Sequence, residues 1–168
     1  NYDNEIDLDE AVLISNLQVN FGNINSISGI ENFINLTGLQ CSNNNLTNLP
    51  ISSLSQLSYL NCVANQITSL EDIQNLSGLT DIAISGNPIT TIDLTNLNNL
   101  WRLSADGTLL TEINLCRTAV RWLWCQNNPN LQALYLKNNI VSSDLARYNI
   151  QLPPPLHNFE FSNTPLLT

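Results

Sequence analysis

The side chains best suited to recognition lie in the second half of the chain, where two tryptophans are separated by a single residue. Trp122 and Trp124 would point the same way from a strand, because side chains two residues apart share a face. Tryptophan and arginine dominate binding hot spots, and a large apolar surface left in water usually marks an interaction site. We therefore predict a binding surface for a protein or peptide here. Its candidate residues are Trp101, Arg102, Arg121, Trp122 and Trp124, with Asp106 beside them and Tyr59 as an outlying member.

Other interpretations of these aromatic side chains remain open. The rings could stack on each other and on Arg102, or the segment 137–155 could cover them. Aromatic rings flanked by Asp and Asn side chains also bind sugars, so a carbohydrate is a second class of ligand. A third interpretation is structural, in which the chain is a spacer or a self-association element of a larger surface protein. Substituting the two neighbouring tryptophans separates these interpretations, since a spacer would be indifferent to the change.

A second group of side chains suited to chemistry opens the chain, because five of the fourteen acidic residues lie within the first ten positions. If Asn1 stands at position three of an EF-hand-like calcium loop, Ile6 falls at the apolar eighth position. Asn4 then replaces the usual glycine of position six. A solvated acidic cap is the alternative interpretation. The candidate calcium ligands are Asn1, Asp3, Glu5, Asp7 and Glu10.

The charge balance argues against two kinds of partner. The formal net charge is -9, the isoelectric point is near 4.1, and only one lysine and four arginines are present. Binding to nucleic acid or to an anionic membrane surface needs a basic stripe, which this composition does not offer. No apolar run approaches the roughly 20 residues of a membrane-spanning helix. We therefore expect neither nucleic-acid binding nor membrane insertion.

The elements that position these residues follow from a repeat. The segments 36–46 and 57–67 share the pattern L-x-x-L-x-C-x-x-N-x-L, with isoleucine last in the second copy, and lie 21 residues apart. The same frame fits seven segments between Ile14 and Leu166, and its regular spacing predicts a solenoid. The residues at the ninth position are Gly22, Asn44, Asn65, Asn87, Thr108, Asn128 and Thr164.

This pattern resembles the leucine-rich repeat family over nearly the whole chain. The segments 39–49 (LQCSNNNLTNL) and 125–131 (CQNNPNL) are similar to the Cys/Asn-rich repeats of secreted and cell-surface proteins of Bacteroidetes-type bacteria. The resemblance implies an α/β solenoid, namely a right-handed arc with a parallel sheet of short strands on its concave face and irregular or 3₁₀ convex segments. It also implies a recognition module of an exported bacterial protein, located outside the cell or on its surface.

The repeat assigns a role to each position. Positions four and six alternate on a strand and should point inward, whereas positions three, five and seven should point outward. The Asn at position nine should bond buried backbone groups where the chain leaves the strand, so that stacked copies form an asparagine ladder. Seven strands at about 4.8 Å spacing would form one sheet about 29 Å long. We expect an acidic cap over 1–13 and a solenoid over 14–168, with an insertion near 137–155.

The cysteines and the lack of a catalytic arrangement complete the sequence-based expectations. Cys41, Cys62 and Cys125 occupy inward position six and should be buried thiols, while Cys116 lies on a connection. The four lack the paired C-x-x-C spacing of a structural zinc site. No carboxylate pair, exposed nucleophile with a base, or phosphate-binding loop falls on the outward positions. We therefore expect a non-catalytic protein.

Overall fold

The computed structural model describes residues 6–136 and the backbone of 158–161. The chain begins with a short helix, and each following turn of the solenoid contributes a short strand. The helix α1 is Leu8–Ala11, and 3₁₀ helices span Ile30–Asn32 and Ile73–Asn75. The strands are β1 Asn16–Gln18, β2 Gly38–Gln40, β3 Tyr59–Asn61, β4 Asp81–Ala83, β5 Arg102–Ser104, β6 Glu112–Asn114, β7 Trp122–Trp124, β8 Ala133–Leu136 and β9 Asn158–Phe161.

Six strands form a parallel sheet in the order β1-β2-β3-β4-β5-β7, which we call the concave sheet. The register places position four of each repeat beside position four of the next, as in the pairing of Leu60 with Leu39 and Ile82. From the second turn onward these position-four side chains are at most 1% exposed. The predicted fold class is confirmed: the chain is a parallel-strand solenoid of about six turns.

A second sheet was not predicted. It contains β6, β8 and β9 in that order, all parallel. The prediction that all seven strands share one sheet is therefore wrong, because the strand expected in the last repeat, Asn158–Phe161, pairs with Ala133–Leu136 instead. The physical reason is a second stretch of alternating inward and outward side chains in the late turns. Ile113 and Leu115 point into the core from one turn, and Leu134 and Leu136 do so from the next. The segment 137–155 lies outside the described residues.

The asparagine ladder is confirmed. Asn65 Nδ2 donates hydrogen bonds to the carbonyl oxygens of Cys62, at 3.0 Å, and of Cys41 in the preceding turn, at 2.9 Å. Its Oδ1 accepts a hydrogen bond from the backbone N–H of Leu46 in the preceding turn, at 3.0 Å. Each amide therefore satisfies buried backbone groups of two successive turns. The same pattern is made by Asn44, Asn87 and Asn128.

The two described departures from the ladder also have structural explanations. The Thr108 hydroxyl lies 3.3 Å from the Ala105 carbonyl oxygen and 2.8 Å from Asn128 Oδ1, so it replaces part of an amide. At Gly22 an added Cβ would come within 2.9 Å of the Ile24 side chain, although the Gly22 N–H still donates to Asn44 Oδ1. The first turn therefore receives bonds from the ladder without contributing an amide of its own.

Position eight of every described turn adopts the left-handed backbone conformation, with φ between 55° and 68°. This conformation favours glycine and asparagine, because a Cβ crowds the following carbonyl oxygen. Five of the six residues are glycine, asparagine or alanine, and the exception is an aromatic residue in the first turn. The six are Phe21, Asn43, Ala64, Gly86, Gly107 and Asn127.

The predicted burial of the position-six thiols is confirmed. Cys41, Cys62 and Cys125 are fully buried, and all four cysteines are reduced thiols. Burial raises the pKa of Cys41 and of Cys125 to about 12, since a thiolate is poorly solvated in the core. It raises the pKa of Cys62 as well. Cys116 is half-buried, and its Sγ lies 3.6 Å from the Leu136 carbonyl oxygen.

Candidate functional site

All three tryptophans of the chain form one cluster at the C-terminal side of the concave sheet. The rings of Trp122 and Trp124 stack with centroids 6.0 Å apart and an interplanar angle of 16°. Trp101 meets Trp122 edge to face, with centroids 6.1 Å apart and an angle of 63°. Such geometries are the favoured arrangements of aromatic pairs. We refer to Trp101, Trp122 and Trp124 as the tryptophan cluster.

The strand β7 explains why two of these rings face outward. Leu123 is fully buried between them in sequence, so the alternation of the strand turns Trp122 and Trp124 to the other face. Both remain half-buried because they pack on each other, and Trp101 is 38% exposed. The rings do stack on each other, as one alternative interpretation held, yet the cluster still presents aromatic surface to solvent.

Arg102 joins the tryptophan cluster to an acidic neighbour. Its guanidinium carbon lies 5.5 Å from the centroid of the Trp101 ring, a cation–π distance. Its Nε lies 3.2 Å from Asp81 Oδ1, and the two side chains are 47% and 22% exposed. Because Arg102 is held from two sides, it is positioned before any ligand arrives. This ion pair was not predicted from the sequence, although both residues occupy position three of consecutive repeats and are direct register partners.

Asp106 has a structural task in addition to lying beside the cluster. Its Oδ1 accepts a hydrogen bond from the backbone N–H of Gln126 at 2.6 Å, and its own N–H donates to Ser85 Oγ at 2.9 Å. Asp106 therefore links the ends of three neighbouring turns. This role leaves the carboxylate half-buried at the margin of the cluster.

The remaining two predicted binding residues lie at different distances from the cluster. Arg121 is exposed and directly precedes β7, where its backbone N–H donates to the Trp101 carbonyl oxygen at 2.9 Å. Tyr59 is half-buried on β3, separated from Arg102 by the strand that carries Asp81. Two strand spacings correspond to roughly 10 Å, so Tyr59 lies outside the cluster.

The acidic N-terminal segment is described only in part. Asp7 is the N-cap of α1, and its Oδ1 accepts the N–H of Glu10 at 3.0 Å. Glu10 Oε2 accepts the N–H of Asp7 at 3.3 Å in return, which completes a capping box. The other three calcium candidates, Asn1, Asp3 and Glu5, lie outside the described residues. Within the described residues, no group of three or more His, Cys, Asp or Glu side chains is arranged to hold a metal ion.

Comparison with known proteins identifies the fold. No family model and no curated protein matches the chain. Among solved structures, an internalin (InlF) from Listeria monocytogenes superposes with a TM-score of 0.68 at 24% identity, over 87% of this chain and 48% of that one. The ectodomain of the receptor kinase SOBIR1 from Arabidopsis thaliana gives 0.60 at 26% identity, over 68% of this chain and 70% of that one. Internalin C2 from Listeria monocytogenes gives 0.54 at 21% identity, over 91% and 84%.

These similar structures are leucine-rich repeat proteins, and the chain has the leucine-rich repeat fold. It spans about half the length of the internalin InlF. The likeness rests on the same stacked-strand solenoid that carries the tryptophan cluster. No helix among the described residues is long and apolar enough to cross a membrane.

Proposed function

We propose that the chain is a non-catalytic recognition module that binds a protein or a peptide through the concave sheet, with the tryptophan cluster as its anchor. The observation that carries the proposal is the clustering of Trp122, Trp124 and Arg102, which hold outward positions of two neighbouring strands, with Trp101, which directly precedes one of these strands. Such rings lose little conformational entropy on binding, because they already pack on one another. Leucine-rich repeat structures with the same fold include a receptor-kinase ectodomain and internalins, which supports this class of function.

The rest of the concave sheet supports the same interpretation. Outward positions on β1, β2 and β4 carry small or polar residues, such as Gln18, Gln40 and Ala83. A ligand segment lying across the strands would therefore meet an apolar anchor at one end and hydrogen-bonding groups along the remainder. The likeness to internalins and the resemblance of the Cys/Asn-rich repeats to bacterial surface proteins favour an exported bacterial protein as the setting.

A carbohydrate is the second candidate ligand. Trp124 lies opposite Ser104 in the register of the sheet, and Asp106 follows two residues later, so an aromatic face and polar acceptors are adjacent. Sugar rings stack on such a face through their apolar C–H surface and hydrogen-bond at their edges. The peptide takes precedence because Arg102, with its cation–π contact and ion pair, is a residue type typical of protein hot spots.

The double variant Trp122→Ala, Trp124→Ala tests the proposal. We expect peptides selected from a displayed library on the original chain to bind the variant at least about 30-fold more weakly, since truncating one hot-spot residue costs about 2 kcal/mol or more. Intrinsic fluorescence should shift on binding, because every tryptophan of the chain belongs to the cluster. The matched control is Asn96→Ala, Asn98→Ala, which changes two exposed residues on the connection from β4 to β5, away from the outward strand positions that the ligand would contact.

Three results would contradict the peptide proposal. Equal affinity of the original chain and the tryptophan variant would exclude the cluster as the anchor. Binding on a glycan array with the same sensitivity to the two substitutions, and no selected peptide, would assign the surface to a carbohydrate. If neither the peptide library nor the glycan array yielded a ligand, the result would favour a spacer.

The calcium hypothesis for the N-terminal segment concerns a separate region and stays a prediction. The spacing of its carboxylates predicts heat release on titration with calcium at millimolar concentration, the affinity range of extracellular calcium modules. Glu10→Gln should abolish the heat, because Glu10 falls at position twelve of this alignment, where the loop binds calcium through a bidentate carboxylate. Asp9→Asn is the matched control, since Asp9 falls on no ligand position of the alignment. Equal heats for the two variants, or none with the original chain, would leave a solvated acidic cap.

A further inference from the structure

The N-terminal end of the solenoid exposes far more apolar surface than the rest of the described chain. Five of the seven large apolar side chains that are exposed in the described residues lie within the first 34 positions. The remaining two, Trp101 and Leu109, are the least exposed of the seven, at 38% and 37%. The five are Ile6, Leu8, Leu13, Phe21 and Ile34, which are 58%, 64%, 81%, 77% and 50% exposed.

The core under this end is also incompletely covered. Leu17 is half-buried, whereas Leu39, its register partner in the next turn, is fully buried. A cavity of about 290 Å³ lies between α1 and the first turn, and its lining includes Leu8, Leu17 and Phe33. Helix α1 therefore covers only part of the apolar end, and the opening that remains is large enough to receive a side chain.

The backbone conformation of Phe21 also indicates a missing contact at this end of the solenoid. This residue holds the left-handed position eight with φ of 57°, where the other turns place Gly, Asn or Ala. A bulky side chain is disfavoured in this conformation, and a buried contact would normally offset the cost. Yet Phe21 is 77% exposed. The side chain thus brings strain without a compensating contact within the described residues, which points to a partner that contacts it.

The charge of this region defines the partner. Before Arg102 the chain contains ten acidic residues and no lysine or arginine. Asp7, Asp9 and Glu31 lie in or next to the elements that form the apolar opening. An acidic partner would be repelled, and a symmetric contact with a second copy would bring the same carboxylates together. Complementarity therefore requires cationic side chains around an apolar anchor.

We propose that the N-terminal end of the solenoid, comprising α1 and the first turn, is a second docking surface, which binds a cationic segment of a partner protein carrying large apolar side chains. One apolar side chain of the segment enters the opening beside α1, and another packs on Phe21, which is not part of the lining of that opening, while lysines or arginines face the surrounding carboxylates. This surface is distinct from the tryptophan cluster, which lies five strands away at the other side of the concave sheet.

Three labelled synthetic peptides of equal length test the proposal on the full chain by fluorescence anisotropy. The first alternates leucine and lysine as an amphipathic peptide, the second replaces each leucine by serine, and the third replaces each lysine by glutamate. We expect the leucine-lysine peptide to bind at least tenfold more tightly than either of the others. Equal binding of the serine-lysine peptide would show mere charge attraction and would overturn the proposal.

Phe21→Asn is the decisive variant, because Asn43 and Asn127 show that asparagine suits position eight. We expect the thermal midpoint to rise while the leucine-lysine peptide binds at least tenfold more weakly. A lower midpoint would mean that Phe21 supports the fold, and unchanged binding would remove it from the surface. Either result overturns the assignment of Phe21 to a partner. Leu13→Ser is a second variant that should weaken binding without loss of the fold.

Two controls separate this surface from its alternatives. The variant Trp122→Ala, Trp124→Ala should bind the leucine-lysine peptide as the original chain does; a loss of binding there would place the peptide on the concave sheet and overturn the proposal. Sedimentation of the chain without peptide should show a monomer over the concentrations used. Association that disappears in Phe21→Asn would assign the surface to a second copy instead of a cationic partner.

Discussion

Replacing Asn87 by alanine is expected to lower the free energy of unfolding by about 3 kcal/mol, since each buried polar group left unpaired costs about 1–3 kcal/mol. The amide of Asn87 is 1% exposed and bonds four backbone groups, of which the Ser85 carbonyl oxygen keeps a bond from the Ala64 N–H at 2.8 Å. The Cys62 carbonyl oxygen would keep its bond from Asn65 at 3.0 Å. The Ile84 carbonyl oxygen and the Ile67 N–H would lose theirs. Because a domain is stable by only about 5–15 kcal/mol, the change should be large in urea unfolding.

Two further variants separate the loss of the ladder's hydrogen bonds from a simple loss of side-chain volume. Asn87→Thr should lose less than the alanine variant, because Thr108 already serves at position nine with its hydroxyl. Asn75→Ala removes an exposed amide and should leave the urea midpoint nearly unchanged. If all three variants unfolded at the same urea concentration, the amides of the ladder would not be what joins the turns.

Alkaline pH is expected to unfold the protein through its buried thiols. In the folded chain the pKa of Cys41 and of Cys125 is raised to about 12, whereas an unfolded cysteine titrates near 8.5. Above pH of about 8.5 the unfolded chain therefore loses protons that the folded chain retains, and stability falls as pH rises toward 12. Each thiol contributes about 1.4 kcal/mol per pH unit within this window. Below it the contribution is constant.

Urea midpoints at pH 7, 8.5 and 10 measure this dependence. The matched variant replaces Cys41, Cys62 and Cys125 by alanine, which position six accepts natively at Ala105. We expect lower stability of the variant at pH 7, because sulfur contacts are lost, but a much flatter decline between pH 8.5 and 10. A decline as steep as that of the original chain would mean that the buried thiols do not cause the effect.

Sequence alone predicted those features that depend on which residue type recurs at a fixed position. The inward ladders, the asparagine ladder and the outward direction of Trp122 and Trp124 all follow from repeated spacing. The second sheet does not follow from repeated spacing. A three-residue strand such as Glu112–Asn114 is too short for its alternating pattern to be distinguished from the pattern of a turn. The contact between Trp101 and Trp122 depends on rotamers, which spacing does not determine.

The left-handed conformation at position eight marks a different limit. Phe21, Asn43 and Ala64 share one backbone conformation although their side chains have little in common. The stacking of turns imposes that conformation even at Phe21, whose bulky side chain disfavours it, so the residue type alone does not reveal the conformation there. The ion pair between Asp81 and Arg102, by contrast, could have been found from the sequence once the repeats were aligned.

The asparagine ladder also governs how such a chain can change its length over evolution. Each asparagine of the ladder binds its own turn and the one before it through equivalent Nδ2 bonds, so the junctions that carry an asparagine share one connector, while the junction at Thr108 lacks it. Duplication or deletion of a whole turn would leave matching connectors on both sides of the new junction, whereas a gain or loss of a few residues would not. Recognition surfaces of different span could thus arise in whole-turn steps while the ends stay the same.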